Sequence, residues 1–142
     1  MTLHELLALF TSKNIEYTTA NLDAVDQNVQ LTDVASDSRE VTPGSLFVCK
    51  GASFSPAYLA SAVEAEAVAY LCQQSLAEEL QAVAPNVAAI RVDDVRLAMA
   101  YAAAGVAGHP DKKLTTIGIT GTKGKSTCSY MLRAILDGDE PY

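Results

Sequence analysis

The 142-residue chain has no tryptophan, 6% aromatic residues and 19% charged residues. Its three cysteines, Cys49, Cys72 and Cys128, are odd in number and widely separated, and no two stand at metal-ligand spacing. That excludes a disulfide-stapled scaffold and a zinc ribbon. The cysteines read as reduced thiols of a cytosolic protein, most of them buried. No apolar run approaches the ~20 residues of a membrane span. At the N-terminus, His4 and Glu5 stand where a signal peptide would carry basic residues. Basic side chains are scarce, with 10 Lys and Arg against 17 Asp and Glu and a net charge of -7. A nucleic-acid binder needs a basic face, so nucleic acid is not an expected partner. The composition points to a soluble, cytoplasmic protein that spans no membrane.

What is present is core material, since 49% of the residues are apolar. That excludes a disordered polyelectrolyte. Charge is unevenly spread. Residues 1–110 hold 5 basic and 13 acidic side chains, and residues 111–142 hold 5 and 4. The last segment is therefore the place to look for an anionic ligand.

Leu3, Leu6, Leu7 and Phe10 recur at helical spacing over residues 2–12, and Thr2 with Glu5 fits a capping box. Residues 13–30 read as polar and irregular. Strands are expected at 31–36 and at Ser45–Cys49, the second after the Pro43-Gly44 turn. Ser55 and Pro56 supply an N-cap and a first-turn proline, and the helix behind them places Tyr58, Leu59, Ala62 and Val63 on one face. Strand-length runs at Ala67–Cys72, Val87–Val92 and Leu114–Thr120 alternate with helices at Leu76–Val83, from Asp93 or Asp94 to Gly108, and from Gly124 to Leu136. In the fourth helix Val95, Ala98, Met99, Ala102 and Val106 form the inward stripe. Such alternation implies βαβ units and a largely parallel sheet. Gly108–Lys113 combines a helix stop, a proline and a change of charge, which makes it the candidate linker.

Chemistry concentrates in Ile117-Gly-Ile-Thr-Gly121-Thr122-Lys123-Gly124-Lys125-Ser126-Thr127. An apolar segment precedes it and a helical pattern follows, the setting of a phosphate-binding loop. Glycines let the backbone curl so that several N–H groups face one hollow, and the helix adds its unpaired N–H groups and positive dipole end. Lys125 could reach the β- and γ-phosphates of ATP, and the Ser126 hydroxyl could ligate Mg²⁺. The usual loop has Gly six residues before its lysine, but Ile119 stands there, so this is the shorter G-x-x-G-K-S form. Lys123 reads equally as a phosphate contact or a solvated charge.

A second cluster runs from Ser36 to Val48. Asp37 and Ser38 could bond a ligand's hydroxyls or a uracil-like edge, or cap the local turn. Arg39 could meet a phosphate, Asp37 or Glu40. His4 and His109 do not stand at ligand spacing from a second metal-binding side chain, and Asp93-Asp94 reads as helix capping.

Taken in order, these motifs resemble the Mur ligase family. The carrying residues are Asp37-Ser-Arg39, then Val41-x-Pro-Gly44-x-Leu-Phe-Val48, then Lys50-Gly51 leading into a helix, then Gly108-His-Pro110 and the loop at 117–127. The resemblance implies an α/β fold. Residues 1–110 would be a Rossmann-like domain that binds the UDP part of a substrate. Residues 111–142 would be the first strand, P-loop and helix of an ATPase domain cut short. It implies that Ser38 contacts the UDP-sugar, that Asp37 supports its loop, and that Ala52, Ser53 and Phe54 contact uridine. Many family members carry an Asp-Gly-His string after that glycine, where this chain has Phe54-Ser-Pro-Ala. It further implies that the loop 121–127 binds ATP with Mg²⁺ on Ser126.

The implied reaction is ATP-dependent addition of a diamino acid, L-lysine or meso-diaminopimelate, to UDP-N-acetylmuramoyl-L-alanyl-D-glutamate in peptidoglycan synthesis. A γ-phosphoryl group would pass to the carboxylate, an amino group would attack, and phosphate would leave. The family's remaining metal ligands and amino-acid-bearing C-terminal domain would lie beyond Tyr142, so the chain alone is expected to be inactive. Its apolar helix face, with Met131, Leu132, Ile135 and Leu136, is expected to pack on the first domain or on a second copy. Competing readings are a non-catalytic UDP-sugar-binding module, the related D-Ala-D-Ala-adding ligase, and an unrelated P-loop kinase.

Overall fold

The computed structural model describes residues 1–138. It divides into two units, Met1–Pro110 and Asp111–Tyr142. The final four residues of the expected ATPase segment, 139–142, lie outside the described residues. No helix among the described residues is long and apolar enough to cross a membrane.

The first unit is an α/β layered structure. Its elements are α1 (Leu3–Ser12), β1 (Tyr17–Ala20), β2 (Val34–Ala35), β3 (Leu46–Val48), α2 (Pro56–Glu64), β4 (Ala69–Gln73), α3 (Ala77–Val83), β5 (Ala88–Val92) and α4 (Val95–Val106). The sheet order is β1-β5-β4-β3-β2, with β2 to β5 mutually parallel and β1 antiparallel to β5. The sheet is therefore mixed.

Helix α1 begins where its chemistry directs. The Glu5 N–H donates to Thr2 Oγ1 at 3.1 Å, and the Thr2 N–H donates to Glu5 Oε2 at 2.8 Å. Ser55 caps α2 ahead of Pro56, and the Asp94 carboxylate caps α4 by accepting from the Arg96 and Leu97 N–H groups. The strands alternate strictly between two cores. On one face Leu46, Val48, Leu71 and Ile90 meet Leu3, Leu6 and Phe10 of α1 and Ala98 and Ala102 of α4. On the other Phe47, Cys49, Tyr70 and Cys72 meet Leu59 and Ala62 of α2 and Leu80 of α3. Each fully buried leucine contributes roughly 1.5–3 kcal/mol relative to exposure. Burial on both faces is why β3, β4 up to Cys72 and the first three residues of β5 read as continuous apolar runs rather than alternating ones.

Several expectations need correction. Residues 13–30 are not wholly irregular, because Tyr17–Ala20 forms the edge strand β1. An edge strand that is only half buried carries little apolar periodicity, so its β-branched residues were the sole cue. The strand expected at 31–36 shortens to Val34–Ala35. Residues 115–120 form no strand. A strand is made by a ladder partner, and the described residues offer none there. Tyr58 does not join the buried face of α2, where Leu59 and Ala62 are buried. It is 48% exposed.

A single turn, Pro110–Lys112, straddles the boundary between the units, and α5 spans Lys125–Asp137 in the second. Met131, Ile135 and Leu136 are exposed. Arg133 pairs with Asp137 one turn on, at 3.1 Å.

Candidate functional site

In a parallel sheet with helices on both faces, ligands gather at the carboxyl ends of the strands. Ser36 follows β2, Cys49 and Lys50 follow β3, and Asp93 follows β5. Two adjoining clefts open there. The first, about 560 Å³, has walls from Asp37, Ser38, Arg39, Lys50, Ser53 and Phe54, with Ser36, Tyr58 and Ser61 completing it. The second, about 580 Å³, is bounded by Lys50, Gly51, Ala52, Phe54, Gln73 and the start of α4. The structure thus brings Asp37, Ser38, Ser53 and Phe54 together, while Ala52 belongs to the neighbouring cleft.

Arg39 resolves its three alternatives in favour of Asp37. Its Nε donates to Oδ1 at 2.9 Å and to Oδ2 at 3.2 Å, and its Nη2 reaches Oδ2 at 2.5 Å. The Arg39 backbone N–H also donates to Asp37 Oδ1 at 3.0 Å, an Asx turn. The Arg39 hydrogen bonds hold the Asp37 carboxyl down to about 2, and the same bond raises the guanidinium above its ordinary value. Asp37 is thus a brace for the loop. Ser38, half buried beside it, lines the cleft.

Lys50, Tyr58 and Ser61 are wall residues that sequence reasoning did not single out as site residues. Tyr58 and Ser61 stand three apart on α2 and so share a face. The Phe54 and Tyr58 rings meet edge to face, centroids 6.3 Å apart at 73°. A flat, polar-edged ligand such as a nucleobase suits a site with aromatic faces and nearby hydroxyls.

The second locus is the loop ahead of α5. Gly121 has φ +151° and Gly124 has φ +78°, backbone states that glycine adopts at little cost. Gly124 is the N-cap of α5 and offers no side chain to the helix's first N–H groups. The Lys125 ammonium arches back to donate to the Gly121 carbonyl at 2.7 Å. Thr122, Lys123, Gly124, Ser126 and Thr127 are all exposed around this curl. The segment is neither straightened nor covered. Its N–H groups and dipole suit an anion, and Lys125 is close enough to exchange its carbonyl contact for one.

No family model matches the chain. Among curated relatives, the UDP-N-acetylmuramyl-tripeptide synthetase of Latilactobacillus sakei is 40% identical over 111 residues, 78% of this chain and 20% of that protein. The protein of the same name from Limosilactobacillus reuteri is 44% identical over 105 residues, 74% of this chain and 19% of its own length. The UDP-N-acetylmuramoyl-L-alanyl-D-glutamate--2,6-diaminopimelate ligase of Caldanaerobacter subterraneus is 39% identical over 112 residues, 78% and 22% respectively. The chain spans about a fifth of the length of these relatives.

Proposed function

Because the chain belongs to the Mur ligase family, we propose that it supplies the UDP-sugar-binding unit and the polyphosphate loop of an ATP-dependent amide-forming ligase. The substrate is UDP-N-acetylmuramoyl-L-alanyl-D-glutamate, and the incoming group is a diamino acid, L-lysine or meso-diaminopimelate. The relatives' names carry the reaction class. The observation that carries the site is the curled, exposed loop at 121–127 in the same chain as a polar cleft at the strand ends.

In this reading Ser38, Ser53 and Phe54 bind the uridine nucleotide, with Asp37 fixing their wall through Arg39 and Ala52 touching from the adjoining cleft. The N–H groups of Gly121 to Thr127 hold the phosphates of ATP. Lys125 leaves the Gly121 carbonyl and neutralises the β- and γ-oxygens, which is the main protein task in phosphoryl transfer. Lys123 adds positive charge at the loop's mouth. ATP, with Mg²⁺, would supply activation of the D-glutamate carboxylate, and the Ser126 hydroxyl would be the loop's own ligand for that ion.

The test is calorimetry on the full chain with Mg-ATP and with UDP-N-acetylmuramoyl-L-alanyl-D-glutamate. Binding of both ligands is expected. Lys125→Met is expected to remove ATP binding and leave the UDP-sugar unaffected, and Ser38→Ala is expected to do the reverse. UDP-sugar binding without ATP binding would instead identify a binding module.

A further inference from the structure

The two clefts at the strand ends share two residues of their walls, Lys50 and Phe54. Lys50 leaves β3 directly after Cys49, which is 1% exposed, and its own side chain is half buried. Gly51 follows at φ +101°, and apart from its two chain neighbours nothing lies within 4 Å of where its Cβ would be. The backbone therefore turns away and leaves open space beside the lysine. Among the described residues, Lys50 makes no side-chain hydrogen bond or ion pair. The other cations nearby are differently placed. Arg39 is already clasped by Asp37. Arg96 borders the second cleft alone, next to Asp93 and Asp94.

A cation without a partner, set by its stem against a packed strand end and standing where two cavities meet, fits an anionic group in the middle of an elongated ligand. The geometry points to Lys50 as the residue that binds the diphosphate of the nucleotide-sugar, so that the ligand spans both clefts with its phosphates at their junction. This rests on the uridine-nucleotide reading above and deepens it. Neither cleft alone combines a partnerless ammonium with room on both sides. The ammonium is a point charge that gains a charge-assisted hydrogen bond only when the phosphates arrive.

The test compares UDP-N-acetylmuramoyl-L-alanyl-D-glutamate, UDP and uridine binding to the full chain at low and high salt. Lys50→Met is expected to weaken both phosphorylated ligands by about tenfold to a hundredfold. It is also expected to flatten their salt dependence and leave uridine binding unchanged. Lys50→Arg is expected to recover most of the loss. Matching thermal melts of wild type and variants establish that the fold is intact, and Lys50→Gln repeats the measurement if the methionine variant melts early. UDP binding by Lys50→Met at wild-type strength, or an equal loss for uridine, overturns the role of Lys50 and leaves the uridine-nucleotide reading standing. Failure of the wild-type chain to bind any of the three overturns both.

Discussion

The Arg39 guanidinium closes on the Asp37 carboxylate two residues before it, with Nε 2.9 Å from Oδ1 and Nη2 2.5 Å from Oδ2. The pair holds a loop in shape at the mouth of the first cleft, and it does so near the surface, with Arg39 exposed. Its effect is therefore on local geometry and titration more than on global stability.

The titration can be read directly. Asp37 is lowered from 3.8 to about 2, chiefly by its hydrogen bonds from Arg39. A lowered carboxyl contributes its stabilisation in full above the unfolded value and loses it as pH falls through the folded one. Carboxyl-detected NMR should therefore place the Asp37 midpoint near 2. In Arg39→Gln the midpoint should return toward the ordinary carboxylate value, and Ser38 should lose its fixed position, weakening UDP-sugar binding. A midpoint unmoved by that substitution would contradict the brace.

The thiols should divide by burial. Cys49 and Cys72 are buried, and Cys128 is exposed. Burial pushes the Cys49 thiol far up and the Cys72 thiol to about 11. The thiolate is the reactive form, so both buried groups should be inert at pH 8. An aromatic disulfide reagent should label a single thiol quickly in the native protein, and the labelling should disappear in Cys128→Ser. The other two should react only in denaturant. Three equal rates would refute the packing described.

Glu66 sits just past α2 with φ +64°, a conformation that costs an L-residue. Its N–H donates to the Val63 carbonyl and its carbonyl accepts from the Gly44 N–H, bonds that any residue preserves. Glu66→Gly should stabilise the protein by about 0.5–1 kcal/mol after the unfolded chain's added freedom is counted. Urea denaturation would reveal a loss instead if the glutamate side chain mattered.

Tyr70 is fully buried, and its hydroxyl has no hydrogen-bond partner among the described residues. Removing an unsatisfied buried hydroxyl relieves a desolvation cost, so Tyr70→Phe should be neutral or stabilising within about 1 kcal/mol. Leu71→Ala, on the opposite face of the same strand, should cost about 2–5 kcal/mol. A large loss in the first variant would mean that the hydroxyl has a partner.

Much of this was legible in the chain. Thr2 with Glu5, Ser55 with Pro56, and Asp94 announced three helix starts because capping chemistry is local. The strands β3 to β5 were visible because burial on both faces demands apolar runs, interrupted in β5 only by Arg91. Strand β1 escaped because its identity comes from pairing with β5, some 69 to 75 positions away, rather than from its own pattern. Leu114–Thr120 misled for the mirror reason, since an apolar run predicts a strand only if a neighbour exists to pair with it. Asp37 and Ser38 were found as a cluster, but Arg39's choice of partner was a matter of rotamer. Lys50 and Tyr58 were hidden because a cavity wall assembles from separate elements.

The antiparallel register of Tyr17–Ala20 against Ala89–Val92 has a consequence for synthesis. Strand β1, which precedes every other strand of this sheet in sequence, pairs only with β5, which follows them all. Helix α1 likewise waits for α4, whose final residue is Val106. Until Val106 has emerged, α1 lacks the α4 side of its core, and such long-range closure is slow. A nascent chain halted before that point would leave its leading helix open to proteases and chaperones.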